Sequence, residues 1–322
     1  MIGAVKKLLL LPHIRVHNAN ALSSPYTIGF PAMTAWLGAT HALQRKLHEK
    51  SFAVSFNATG VVCHQLELQT YKGTGDFVSS IISTGNPLDK TGARPAFIEE
   101  ARCHLDISLL IEISGLDKEH EDTFLELTTH LLNNGIKIAG GDIKTFHRPE
   151  IMLSEYGNKK DRNKIVRKLM PGYAIIERRE LMLDAMNQGQ DGLDALLDYL
   201  AIHHHCEQDE DGKVTWQSHR KTYQDKPPGW IVPIATGFQA ISDIGTAKNQ
   251  RDPDTPHRFA ESIVTLGEFK ILHRFQNIDD ILWRYYFDKE NDLYLCQQSS
   301  QEQKETVNDF IKPQDSIAHE FE

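Results

Sequence analysis

No stretch of the 322-residue chain approaches the ~18–20 consecutive apolar residues that a membrane span requires. The opening, MIGAVKKLLLLPHIRV, superficially resembles a signal peptide. Its apolar part is only Leu8 to Leu11, however, and His13 and Arg15 follow where a small-residue cleavage site belongs. It reads instead as the first strand of a cytoplasmic protein. Cysteine is scarce: Cys63, Cys103, Cys206 and Cys296 form no CxxC and are spaced too widely for a disulfide framework, which fits a reducing compartment. There is no Walker loop, GxGxxG, GxSxG, HExxH or EF-hand pattern, so phosphate cradles, hydrolase elbows and the common metal helices find no support.

The metal signal that remains is weak. Cys63-His64 and Cys103-His104 are dyads, and Cys206 follows His203-His204-His205. Neighbours in a strand point to opposite faces, so each dyad offers one ligand at most to a given site. Three consecutive histidines on a helix would splay rather than converge. Buried thiols and surface imidazoles are the simpler reading, and no metal site or cofactor is assigned. Acid–base catalysis needs only spatial proximity, so the sixteen histidines leave a histidine-based endoribonuclease as the alternative function.

Lysine and arginine are absent from residues 184–211, which carry eight acids, while residues 288–322 carry nine acids and three lysines. These two segments account for −14 of a net −9, so the rest of the chain is net +5. The strongest basic run is Lys159, Lys160, Arg162, Lys164, Arg167 and Lys168. Charge segregated in this way keeps a basic surface for nucleic acid available despite the acidic total.

In order along the chain, period two predicts a first strand over about Lys7 to Val16, with Leu8, Leu10, Ile14 and Val16 on one face. The other face carries Leu9 and Leu11, then His13, Arg15 and His17. Pro12 cannot donate to a ladder, and a bulge or break is expected there. Asn18 to Phe30 forms an over-long polar connection. Pro31 then opens a helix to about His48 along Met33, Trp36, Leu37, Thr40, Leu43, Gln44 and Leu47. A strand or hairpin covers Phe52 to Tyr71, and residues 72–96 are loop-like. His104 to Ile113 alternates Leu105, Ile107, Leu109, Ile111 and Ile113 against Asp106, Ser108 and Glu112. A second helix spans about Asp117 to Asn134, stopped by Gly135. A strand over Ile136 to Phe146 is interrupted by Gly140-Gly141, which suggests a bulge or the close approach of another backbone.

This βαββαβ order predicts an α+β fold with a ferredoxin-like (RRM-like) core over residues 1–150. The aromatic signature of a standard RNA-recognition motif is absent, so stacking of bases on such rings is not expected. Residues 151–229 form an inserted basic and helical thumb: a strand at Tyr173 to Ile176, a helical segment at about Glu180 to His203, and an exposed linker over 207–229. Residues 230–322 add C-terminal strands, beginning at Trp230 to Ile234, and end in a mobile acidic tail.

Several stretches carry a resemblance: LLLLPHIRVHNANALSSPYTIGFPA (8–32), GVVCHQLELQ (60–69), GNPLDKTG (85–92), EEARCHLDISLL (99–110), AGGDI (139–143), LMPGYAIIERREL (169–181), KPPGWIVPIATGFQAIS (226–242), RDPDTPHRFAES (251–262) and LGEF (266–269). Together they resemble, in order and over nearly the whole chain, the second Csy protein of type I-F CRISPR surveillance complexes, a Cas-five-like family. The extra proline of KPPGW, Phe269 in place of the usual tryptophan, and the 207–225 linker depart from its pattern. The resemblance implies a thumb inserted in a ferredoxin-like core, a grip on the 5′ handle of CRISPR RNA, and a heterodimer with the large Csy subunit. It also implies contact with Csy backbone subunits, and with foreign double-stranded DNA through the whole complex. Processing of the RNA belongs to a separate endoribonuclease, so no catalytic residues are carried over.

With that resemblance, the candidate RNA-binding residues are His13, Asn18, Asn20, Ser23 and Ser24 in the first strand and loop, with Arg15, Lys159, Lys160, Arg162, Arg251 and Arg258 as phosphate contacts. Amides and hydroxyls bond splayed bases and 2′-hydroxyls, and cations bond phosphates.

Overall fold

The computed structural model describes residues 5–82, 88–94, 100–208, 211–224, 228–248, 250, 252 and 254–298. In chain order the elements are β1 (Val5–Asn20), β2 (Leu22–Ser24), β3 (Thr27–Ile28), α1 (Met33–His48), β4 (Ser55–Leu68), β5 (Thr70–Tyr71), β6 (Ser80–Ile81), β7 (Arg102–Ser114), α2 (Glu121–Asn133), β8 (Lys137–Ile138), β9 (Gly141–Thr145) and β10 (Glu150–Glu155). There follow α3 (Lys159–Leu169), β11 (Tyr173–Glu177), α4 (Arg179–Asn187), α5 (Gly192–Leu200), β12 (His203–Gln208), β13 (Val214–His219), β14 (Trp230–Ala240), β15 (Ala260–Ile271), β16 (Leu282–Asp288) and β17 (Leu293–Gln297).

The fold is mixed α/β around one large antiparallel sheet, ordered β11-β15-β14-β17-β16-β4-β7-β1-β9-β8, with β10 also beside β1. The outer edge of β4 is divided. Thr59 and Gly60 pair with Trp283 and Leu282 of β16, whereas Val62 and Cys63 pair with Ala174 and Tyr173 of β11. The chain of pairings β4-β16-β17-β14-β15-β11 therefore returns to β4 and closes a six-stranded ring. Trp283, fully buried, ties the ring together by donating its indole N–H to the Ile175 carbonyl at 2.9 Å.

Both faces of the sheet are apolar in the middle. One buries Leu9, Leu11, Ile14, Val16, Val61, Ile107, Leu109 and Ile111 under α1 and α2, through Met33, Trp36, Leu43 and Phe124. The other buries Leu8, Leu10, Ala58, Val62 and Leu110 under Ile165, Val166 and Leu169 of α3. Around Leu110 strand β7 is packed on both sides, with its odd-numbered aliphatics on the first face as their alternation predicts.

The expected grouping of Leu8 and Leu10 with Ile14 and Val16 is corrected. In the pairing of β1 with β7, Leu11 faces Leu109 but Ile14 faces Ile107, so β1 spends one extra residue at Pro12-His13. His13 sits in the left-handed region at φ 48°. The bulge expected at Pro12 is present, and it inverts the parity: Ile14 and Val16 join Leu9 and Leu11, while His13, Arg15 and His17 continue the Leu8/Leu10 face. A second extra residue between Val16 and Ala19, with Asn18 at φ 59°, brings Ala19 back to the core.

Other expectations change in detail. The 18–30 connection is shorter than expected, because β1 runs to Asn20 and β2 and β3 form a small hairpin. Helix α1 starts at Met33, with Pro31 ahead of it accepting the Trp36 indole N–H at 3.1 Å. Residues 136–146 form a hairpin, turned at Ala139 and Gly140, both with positive φ as a two-residue primed turn requires. The helical segment after 180 is two helices, α4 and α5, parted at Gly189 (φ 95°). The histidine triplet and the linker after it form an exposed hairpin, β12–β13. The tail after Gln298 lies outside the described residues.

Gly141 bears out the close approach that the glycine pair suggested. A Cβ there would stand 2.7 Å from Val16 Cγ1 and 2.8 Å from both the Ala19 nitrogen and the His17 oxygen. Gly141→Ala should therefore destabilise by about 1–3 kcal/mol. Gly140→Asn should be nearly neutral, since its site is open and asparagine tolerates positive φ. Urea unfolding midpoints of the two variants check the contrast.

Candidate functional site

The face that α3 covers over Leu8 and Leu10 is not covered further along β1, where the bulge turns His13, Arg15 and His17 onto it. Strand β4 supplies His64 and Glu67 there, β7 supplies His104, Asp106 and Ser108, and β9 supplies Lys144. The Cys-His dyads resolve as alternation requires. Cys63 and Cys103 are buried on the helix-covered face, and burial pushes both thiols up to about 12. His64 and His104 project from the opposite side.

The rings meet in pairs. His13 stacks on His64 with centroids 4.1 Å apart and planes at 24°, and His17 stacks on His104 at 4.2 Å and 18°. His147, just after β9, lies 4.9 Å from His13. His13 Nδ1 is 3.1 Å from Asp106 Oδ1, and its backbone N–H donates to Ser108 Oγ at 3.0 Å. His64 Nε2 is 2.7 Å from the same hydroxyl, and its Nδ1 is 2.6 Å from the Pro171 carbonyl oxygen. Beside these rings lies a groove of about 300 Å³ lined by Arg15, His17, Glu67, His104, Asp106 and Lys144. Among the described residues Arg15 is held only by a 3.7 Å approach to Asp106, and its side chain is 70% exposed.

The candidates named from sequence separate into groups. His13 and Arg15 lie in this site, and Asn18 lies at its border, donating its backbone N–H to His104 Nδ1 at 3.1 Å. The side chain of Asn20 is engaged with both the N–H and the carbonyl of Leu22. Ser23 and Ser24 bond Thr27 across the hairpin, where Ser24 is buried. The hairpin tip instead presents Tyr26, 81% exposed. Lys159 and Lys160 are exposed at the start of α3, whose cap is Asn158. Arg162 donates to the Phe275 carbonyl and to Asn163. The Arg258 guanidinium is a fork on Asp292, at 2.7 and 2.9 Å, and also donates to Ser242 O. Arg251 lies outside the described residues. Sequence reasoning missed His64, His104, Asp106, Lys144 and His147 as members of one site. The signal was the polar alternate positions of β7, which needed the strand order to acquire neighbours.

Residues 9–296, from β1 to β17, match the sequence model of the family described as CRISPR-associated protein (Cas_Csy2). The chain belongs to the Csy2 family. It is similar to CRISPR-associated protein Csy2 of Pseudomonas aeruginosa (strain UCBPP-PA14), at 33% identity over 314 residues, covering 89% of this chain and 94% of that relative. Among the described residues of this Csy2-family chain, no helix is long and apolar enough to cross a membrane.

Burial holds the His64 imidazole below its usual 6.5, with His13 acting in the same direction and the Pro171 carbonyl and Asp106 opposing. A depressed histidine favours the neutral folded form. The unfolded chain then binds more protons near and below pH 6.5, and stability falls as pH drops through 6.5 toward the lower folded value. His64→Gln should flatten that part of the profile, as read from urea midpoints measured from pH 7.5 downward.

Proposed function

We propose that this Csy2-family chain is a subunit of a type I-F Csy ribonucleoprotein that holds the 5′ handle of CRISPR RNA without cutting it and pairs with the large Csy subunit. The observation that carries the RNA reading is the open sheet face, where two stacked imidazole pairs adjoin Arg15 and Lys144 around a groove. Single-stranded RNA is bound by stacking splayed bases on aromatic rings, histidine included, while cations take the phosphates. The order β4-β7-β1-β9, with α1 and α2 together on one face, supports a ferredoxin-like core. In that reading imidazoles occupy the sheet surface where RNA-recognition modules carry larger aromatics. The exposed Lys159 and Lys160 of α3 and Tyr26 of the hairpin are further contacts for RNA or for a neighbouring backbone subunit. Foreign DNA would be met through the assembled complex.

One observation favours a second reading, an endoribonuclease: His13 is oriented by Asp106, as a general base would be. Against it, both nitrogens of the neighbouring His64 are already engaged, with Pro171 and Ser108, which makes that ring a structural partner rather than an acid.

The test uses the complex assembled with the large subunit and guide RNA. Replacing Arg15 and Lys144 together by alanine should weaken handle binding and reduce the salt slope by about 0.7 for each phosphate no longer neutralised. Crosslinks from the handle should fall on residues 13–26 and 104, and the RNA should stay intact. Unchanged affinity and slope without such crosslinks would exclude this face. Specific cleavage abolished by His13→Ala would favour the enzyme.

A further inference from the structure

We propose that His13, His64 and Asp106 form a binding site for a divalent transition-metal ion, zinc being the best match to the ligand set. The three come from the adjacent strands β1, β4 and β7, and one ligand atom from each lies within 4.8 Å of the other two. A tetrahedral ion with ligands at about 2.0–2.1 Å needs them about 3.4 Å apart. His13 Nδ1 and Asp106 Oδ1, at 3.1 Å, are already close to that spacing, and an ion there takes the place of the proton they share. The His64 ligand atom lies within 4.8 Å of the other two, and metal binding would require its ring to turn out of the stack with His13 to bring that atom in.

The surroundings suit a ligand as well as the three side chains do. The Pro171 carbonyl accepts from His64 Nδ1 at 2.6 Å, so the proton resides on that nitrogen and Nε2 carries a lone pair. A backbone carbonyl that fixes the tautomer in this way is the usual outer partner of a metal-binding histidine. The Ser108 hydroxyl, 2.7 Å from Nε2, is a rotor that can release it while continuing to accept the His13 N–H. His13 itself is at φ 48° in a bulge, and bulges commonly re-aim a side chain beside a functional site. The two imidazoles are borderline nitrogen donors, and beside a single hard carboxylate they favour zinc and its first-row neighbours over magnesium or calcium. Three protein ligands leave one position for water or a fourth donor, and the His147 ring lies 4.9 Å from that of His13. This site departs from the sequence reading, which assigned no metal. It depends on side-chain geometry and not on the RNA reading.

Tag-free full chain, stripped with chelator and dialysed, is titrated with cobalt(II) and followed by its visible d–d absorption, with zinc as competitor. One equivalent should bind with the intense bands of four- or five-fold coordination and be displaced by zinc. His13→Asn, chosen because asparagine accepts a left-handed φ, and the isosteric Asp106→Asn should each weaken cobalt binding by roughly 100-fold or more, the upper end of what losing even an outer-shell partner costs. Circular dichroism checks that each variant is folded. Replacing His203 and His205 of the exposed hairpin by alanine should leave the site intact. Absence of stoichiometric binding, binding unaltered in both asparagine variants, or binding lost with the hairpin histidines would overturn the assignment.

Discussion

Strand β1 is sixteen residues long and finds partners on both of its edges while passing a proline that has no N–H to give. Its inner edge follows β7 from Lys7 to Asn20 with two irregularities, but its outer edge changes partner at that point: residues 5–10 pair with β10, and residues 15–17 with β9. Pro12 falls in the gap between the two outer ladders, where a donor is not required, and its carbonyl is still satisfied by the His147 N–H at 2.9 Å. The extra residue at His13 is the backbone's answer to the same gap. Because side chains alternate, one added residue turns everything after it over. Five apolar residues before the bulge, Leu8 to Pro12, are buried on both faces of the sheet; after it, one face stays apolar and the other becomes His13, Arg15 and His17. The site is therefore a consequence of where a proline was placed in a strand.

Period two made β7 legible, including both of its faces, because no residue in it breaks the count. In β1 the same reading grouped Leu8 and Leu10 with Ile14 and Val16, since a pattern counted by twos carries no mark of an inserted residue. Pro12 was the one local sign, and it was enough to predict a bulge but not its consequence for parity. The division of each Cys-His dyad between two faces was legible, because it depends only on neighbours in one strand. The meeting of His13, His64 and Asp106 was not, because they lie 51 and 42 positions apart in the chain and become neighbours only through the order β4-β7-β1. The closed ring was illegible for a related reason: β4 shares its outer edge between β11 and β16, strands more than a hundred residues later. Non-local pairings of this kind leave no trace in composition.

Charge shows the same limit. Basic residues looked alike in sequence, yet the structure gives them different work. Arg258 is held in a two-pronged pair with Asp292; Arg178 is clamped by Glu268, Glu180 and the Pro228 carbonyl; and Arg284 reaches Glu112, which also binds Lys6. A guanidinium that completes its hydrogen bonds within the fold must break them before it can take a phosphate, so its contribution to binding is small or costly. Among the described residues Arg15 makes one long approach to Asp106, and most of its side chain is exposed. Counting cations therefore overstates the charge free to meet a ligand, and it is the incompletely partnered cations that a candidate site should be built on.

The border between the covered and the open part of the face is set by a short turn. Helix α3 shields Leu8, Leu10 and Val62 through Leu169, and then Met170-Pro171-Gly172 leads the chain away into β11. Gly172 is needed for this, since a Cβ there would stand 2.6 Å from Val62 Cγ1, 3.0 Å from His64 Cε1 and 2.5 Å from the Leu169 carbonyl oxygen. The turn thus approaches His64 closely enough for the Pro171 carbonyl to fix its ring. Had α3 continued, its apolar side would have met His13 and Asp106, whose polar groups an aliphatic cover could not satisfy and whose desolvation would cost several kcal/mol. The proline that stops the helix and the glycine that lets the turn pass therefore do two things at once. They leave the histidine face uncovered, and they orient the imidazole of His64 on it.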